Sequence, residues 1–184
     1  MSIDRQALKE LEPRGITLVL TKAENYQRAV LELIEYLVNE RREFGVYVTL
    51  NKPFFSMKKL LEPRIDLRKV IFIDGFTKLA GGKPEKIEGV LYITSVEDLT
   101  GMSFALDQAV KSIPIREKFV FFDSLSTLLL YNKTGSVAKF IHFLTGKIRL
   151  WDIDGIFISL GEEDDQVISK LSMFCDKILH LDRD

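Results

Sequence analysis

Short apolar runs rich in β-branched and aromatic residues alternate along this chain with longer stretches of helical period, and no other feature constrains its fold as much. The runs are 16–20, 46–50, 70–73, 119–122, 155–160 and 177–181, with a shorter one at 91–93. Strands separated by helices pair in parallel, because a parallel neighbour needs a crossover long enough to hold a helix. Phe119-Val120-Phe121-Phe122 is apolar at every position, as a strand covered on both faces must be, and this places it at the centre of the sheet. The predicted class is α/β: three layers, with a mainly parallel central sheet and helices on both faces.

The intervening stretches carry the apolar spacing of one helix face. Val30, Leu33, Ile34 and Leu37 predict a helix from about Ala23 to about Arg42, closed by Gly45, and a short helix is expected around Ser56 to Leu61. Ser95 is the expected N-cap of a helix whose buried face holds Leu99, Met102, Leu106, Ala109 and Val110. Val137, Phe140, Ile141, Leu144 and Ile148 define the next helix, and Val167, Ile168, Leu171 and Phe174 the last. No repeat or linker interrupts the series, so the expectation is one domain over residues 1–184. A domain of that length buries about 70% of its unfolded surface and needs neither disulfide nor metal to hold a core.

Composition bears mainly on partners and compartment. Lys+Arg number 26 against Asp+Glu 27, a net charge of −1, which gives no global field to draw in nucleic acid or an anionic membrane. One cysteine, Cys175, forms no intrachain disulfide, and a reducing compartment is expected. Met1 to Arg5 lacks the basic-then-apolar order of a secretion signal, and no apolar run approaches the roughly 18 residues of a bilayer span. The expected location is cytoplasmic.

The order of elements resembles the RecA-fold ATPases, and within them the KaiC-like branch widespread in archaea. The resemblance rests on residues 45–50, on Phe119-Val120-Phe121-Phe122-Asp123-Ser124 followed by the apolar stretch 125–131, and on residues 174–181. It implies a doubly wound sheet whose nucleotide would lie outside the carboxyl ends of the strands. In such proteins a glycine-rich loop after the first strand cradles phosphates with backbone N–H groups, a lysine and a hydroxyl. The corresponding stretch here, Thr21 to Arg28, has no glycine, and Glu24 would set a negative charge beside a polyanion. At ~4 Å and an effective dielectric of ~20, that repulsion is on the order of 4 kcal/mol per unit charge.

The pair of water-activating glutamates that the resemblance implies at the end of the second strand is replaced by Asn51 and Lys52, neither of which is a base near neutral pH. Asp123 matches the aspartate that supports magnesium. Taken alone, an aspartate at a strand end caps the next helix, here through Ser126-Thr127, or bonds backbone. The nucleotide face implied by the resemblance comprises Lys22, Asn25, Asn51, Lys52, Asp123 and Ser124, with no catalytic residue, no metal ligand and no cofactor assigned. The expected role is a non-catalytic assembly, scaffolding or regulatory module that has lost ATP hydrolysis, partnered by a second copy or by an active KaiC-like paralogue, with nucleic acid and membrane disfavoured. The alternative is an ATP-binding protein or ATPase in which Lys22 or Lys52 supplies charge and Asp123 holds the metal.

Other polar residues carry weaker signals. His142 and His180 stand apart without neighbouring ligands, and Cys175 reads as a small buried hydrophobe. Glu162-Glu163-Asp164-Asp165 suits the first turn of a helix. Lys58-Lys59 and the basic residues between Arg64 and Lys69 are broken by Glu62 and Asp66, as on a solvated face. Phe54-Phe55 and Phe76 fall in connections beyond strand ends, either as core under the loops, as a cover over the nucleotide face, or as an apolar patch for another subunit.

Overall fold

The computed structural model describes residues 5–161 and 165–182. After helix α1 (Arg5–Lys9) come β1 (Ile16–Thr21), α2 (Tyr26–Glu35), β2 (Phe44–Thr49), α3 (Phe54–Leu61), β3 (Val70–Asp74), β4 (Val90–Tyr92), α4 (Leu99–Ser112), β5 (Lys118–Asp123), α5 (Leu125–Tyr131), α6 (Thr134–Trp151), β6 (Asp154–Leu160), α7 (Asp165–Ser172) and β7 (Lys177–His180). Among the described residues the strands form one sheet in the order β4-β3-β2-β5-β6-β1-β7, every pair parallel. The strand expected at the centre is the fourth of seven. No helix among the described residues is long and apolar enough to cross a membrane.

Side chains alternate across the strands and divide the apolar residues into two cores. Ile16, Leu18, Val46, Val48, Val120, Phe122 and Phe157 meet α4, α5, α6 and α7 on one face. Val19, Tyr47, Phe72, Phe119, Phe121, Ile156 and Ile158 meet α1, α2 and α3 on the other. This second face is aromatic: Tyr47 stacks on Phe121 at 5.3 Å between ring centres, and Phe72 lies against both Tyr47 and Phe54. Phe54 is therefore core, whereas Phe55 is exposed.

Three sequence expectations need correction. The first helix begins at Tyr26 rather than Ala23, because residues 22–25 form a turn in which Asn25 N–H donates to the Lys22 carbonyl at 3.0 Å. It ends in a π-helical turn, Tyr36–Glu40, followed by Arg42 at φ 59°, so Arg42 and not Gly45 takes the left-handed conformation. Gly45 lies inside β2, where the Phe119 ring passes across it; a Cβ there would stand 2.1 Å from Phe119 Cζ. Asp98, not Ser95, caps α4, accepting from Gly101 N–H at 2.8 Å, while Ser95 Oγ holds the preceding turn through Glu97 N–H. The acidic run Glu162 to Asp164 lies outside the described residues, as does the Asp165 side chain.

At the amino end of the sheet, Arg41 bridges two buried carboxylates, Glu43 at 2.7 Å and Asp154 at 2.6 Å. Burial, reinforced by the charge of Asp154, pushes Glu43 up to about 7 despite Arg41. The folded state therefore binds more protons than the unfolded chain between about 4.5 and 7, and stability falls as pH rises through that window. Glu43→Gln should flatten that part of the stability curve by about 1–2 kcal/mol, read as urea midpoints across a pH series; an unchanged slope would contradict the assignment. Gly45→Ala should cost about 1–3 kcal/mol, because the buried Phe119 ring cannot withdraw without disturbing both neighbours in the sheet.

Candidate functional site

Parallel strands deliver their carboxyl ends to one rim, and the two central ones, β2 and β5, end in register with Thr49 opposite Asp123. Asp123 points to the aromatic face of the sheet and is buried there. Its carboxyl group accepts from the Tyr26 and Tyr47 hydroxyls, one at each oxygen, and from Asn51 Nδ2 at 3.1 Å. A cis peptide bond joins it to Ser124. Ser124 rather than Asp123 caps α5, its Oγ accepting from Thr127 N–H at 3.2 Å. Burial pushes Asp123 up to about 8, while the three donated hydrogen bonds act in the opposite sense by favouring the ionised form. Burial likewise raises the Tyr47 phenol, which stays a neutral donor.

Asn51 binds the group together. Its Nδ2 lies 3.0 Å from the Tyr26 hydroxyl and 3.3 Å from Ser124 Oγ, and its Oδ1 accepts from the Thr127 hydroxyl. Beside it Lys52 Nζ donates to Gln27 Oε1 at 2.6 Å, across the mouth of the crevice between α2 and the β2–α3 loop. The remaining space, lined by Tyr26, Gln27, Asn51, Lys52, Asp123 and apolar side chains of α2 and α3, is about 20 Å³. A cavity of about 10–15 Å³ on this measure holds one water, so the crevice takes about one water and not a triphosphate.

Of the six residues expected at the rim, the structure brings Asn51, Lys52, Asp123 and Ser124 together and sets Lys22 and Asn25 apart. Lys22 N–H and Asn25 Nδ2 both donate to Asp182 near the end of the chain, and Asn25 Oδ1 accepts from Arg28 at 2.8 Å. Two of the N–H groups that follow β1 are turned inward, Asn25 to the Lys22 carbonyl and Tyr26 to that of Ala23. These residues do not fit a magnesium nucleotide: the carboxyl group that would face the metal is enclosed by donors, and the turn closes on itself.

Sequence reasoning missed Tyr26, Tyr47 and Asp182, and gave Thr127 only a part in capping the next helix. Tyr47 interrupts an apolar β-branched strand, and a buried phenol needs a partner, so it was the one available local signal. Tyr26 reads as an ordinary first-turn residue, and nothing short of the fold relates it to Asp123.

The secondary candidates resolve into packing and surface pairs. His142 lies exposed beside the Phe174 ring at 4.9 Å between centres, and His180 is exposed on β7. Burial pushes the Cys175 thiol up to about 12, far from a reactive thiolate. Lys58 pairs with Glu62, Arg64 with Glu35 and Arg68 with Asp66, which spends most of that basic stretch on neighbouring carboxylates.

Comparison with solved structures agrees with this architecture. Uncharacterized protein PH0321 from Pyrococcus horikoshii, crystallised in complex with an unknown peptide, superposes with a TM-score of 0.73 at 13% identity, over 96% of this chain and 82% of that one. The KaiC-like protein PH0186 from the same archaeon superposes with a TM-score of 0.63, also at 13% identity, over 92% of this chain and 73% of that one. The fold is RecA/KaiC-like. No curated protein matches the sequence. Residues 74–181, more than half of the chain, match the model of a family of unknown function, DUF7504, and the chain belongs to that family.

Proposed function

We propose that this protein is a non-catalytic RecA/KaiC-like module that works by binding another macromolecule. The observation that carries the reading is the enclosure of Asp123: two phenols and an amide occupy its carboxyl group, and the space beside it is about 20 Å³. Nucleotide hydrolysis needs a metal held at that carboxylate and a group able to activate water. Asn51 and Lys52 offer no such base, and both are engaged, Asn51 by Thr127 and Ser124, Lys52 by Gln27. The alternative phosphate site, with Lys22 or Lys52 supplying charge beside Asp123, is disfavoured by the engagement of Lys52 with Gln27 and by the absence of Lys22 from the residues that line the crevice.

A binding role suits a fold whose strand-end crevice is filled, and the structural relative PH0321 carries an unknown peptide. Titration calorimetry with magnesium-ATP gives the direct test. No saturable heat is expected up to millimolar nucleotide, and saturation tighter than about 100 µM, roughly −5.5 kcal/mol, would refute the reading.

The raised pKa of Asp123 gives a second check. Its raised value means that stability is greatest below the ordinary carboxylate range and declines as pH climbs toward 8. Asp123→Asn keeps an acceptor for one phenol and cannot ionise. Relative to the parent it should gain roughly 1–3 kcal/mol on going from pH 5 to pH 9, measured by urea denaturation. A parallel pair of curves would mean that Asp123 is ionised throughout, and with that its capacity to hold a metal would return.

A further inference from the structure

A large concavity lies away from the strand ends, on the opposite face of the sheet from Asp123. Helix α4 packs on β2 and β3, and α6 packs on β6; the central strand β5 runs between them. The two helices therefore stand apart and leave a groove of about 650 Å³. Its floor is apolar, with Phe140 and Leu144 buried over Phe122. Its walls are Phe104 from α4 and Phe143 from α6, which are 73% and 51% exposed. Phenylalanine rings left in water at that level and lining one cleft mark an interaction surface.

The rim is basic. Lys111, Lys139 and Lys147 stand around the groove against a single carboxylate, Asp107. Asp107 is shared, at 2.6 Å from Lys111 and 3.5 Å from Lys147, so the three cations are answered by one charge. Lys147 also lies over the Phe143 and Trp151 rings, at 5.7 and 5.9 Å from their centres, which places its charge directly above the apolar wall. A ligand seated here meets aromatic surface and net positive charge together.

We infer that the α4–α6 groove binds an amphipathic helix of a partner protein, with large apolar residues on one face and acidic residues flanking them. A helix laid between two helices is a common mode of groove recognition, anchored at i, i+3/i+4 and i+7. The 14 residues of α4 and the 18 of α6 give a trough long enough for two or three turns of such a ligand. Acidic flanks answer the lysines, while a basic helix would be repelled. This deepens the binding reading by giving it a surface and a partner chemistry, and none of the groove's lining residues lines the Asp123 crevice.

The test uses a fluorescein-labelled synthetic helix of about 18 residues, leucines at the anchor spacing and glutamates elsewhere, followed by anisotropy with the whole chain. Saturable binding is expected. It should weaken about tenfold in Phe104→Ser and Phe143→Ala, and about tenfold for the same peptide with its glutamates exchanged for lysines. Lys139→Glu and a rise in salt from about 0.1 to about 0.5 M should each weaken it several-fold. Phe104 is largely exposed, so its substitution leaves the fold intact even if Phe143→Ala does not. Equal binding of the acidic and basic peptides, absence of saturation, or indifference to Phe104→Ser would overturn the proposal. Sedimentation showing a dimer that Phe104→Ser dissociates would overturn it as well, by assigning the groove to a second copy. Magnesium-ATP titration reads the other site, so groove failure and failure of the non-catalytic reading register separately.

Discussion

The carboxyl group of Asp123 sits at the end of the central strand with the Tyr26 and Tyr47 hydroxyls and the Asn51 amide closed over it. Each donor comes from a different piece of chain: the start of α2, the interior of β2, and the loop after β2. One buried acceptor therefore fixes where the first crossover helix begins, how the second strand registers, and where the β2–α3 loop lies. An ionised carboxylate in that position incurs a desolvation cost, which raises its pKa and which the three donors partly offset. The cluster is satisfied because three donors cover both carboxyl oxygens, and an acid enclosed in that way has little room for a divalent cation.

The aromatic character of that face follows from the same arrangement. Tyr47 reaches Asp123 with its ring stacked on Phe121 and tilted against Phe72. Gly45 two residues earlier leaves room for the Phe119 ring, so the aromatic layer continues to the amino end of the sheet. There the polar chemistry reappears as Arg41 between Glu43 and Asp154. Both ends of the central strands thus carry buried acids, and burial raises both Glu43 and Asp123. These two groups contribute stability that is lost as pH rises through their folded-state values.

The strand order and helical faces were legible because they are written in local periodicity: Phe119 to Phe122 announces a doubly covered strand without reference to anything distant. Helix boundaries were less so, since Gly45 fits a C-cap pattern and only its contact with Phe119, more than seventy residues away in sequence, reveals its role. Four of the six expected rim residues converge because strand ends are predictable places. The residues that close the rim were hidden for a physical reason. Tyrosine is amphipathic, and whether it buries its hydroxyl or wets it depends on what faces it across the fold. Tyr26 and Asp123 are 97 positions apart. Phe104 and Phe143 escaped notice for the opposite reason, since phenylalanines near an apolar stripe are expected to be core.

Five phenylalanines are fully buried in the strands, and the driving force that puts them there, about 25 cal/mol per Å² of apolar surface, acts equally on those outside. Phe104 and Phe143 remain in water because the sheet fixes the spacing of α4 and α6: β5 lies between the strands these helices cover, so the helices cannot close without exposing the core beneath. The wide central layer that hides Asp123 on one face holds the groove open on the other. On that other face two exposed aromatic rings and three lysines with one carboxylate among them stand around the groove.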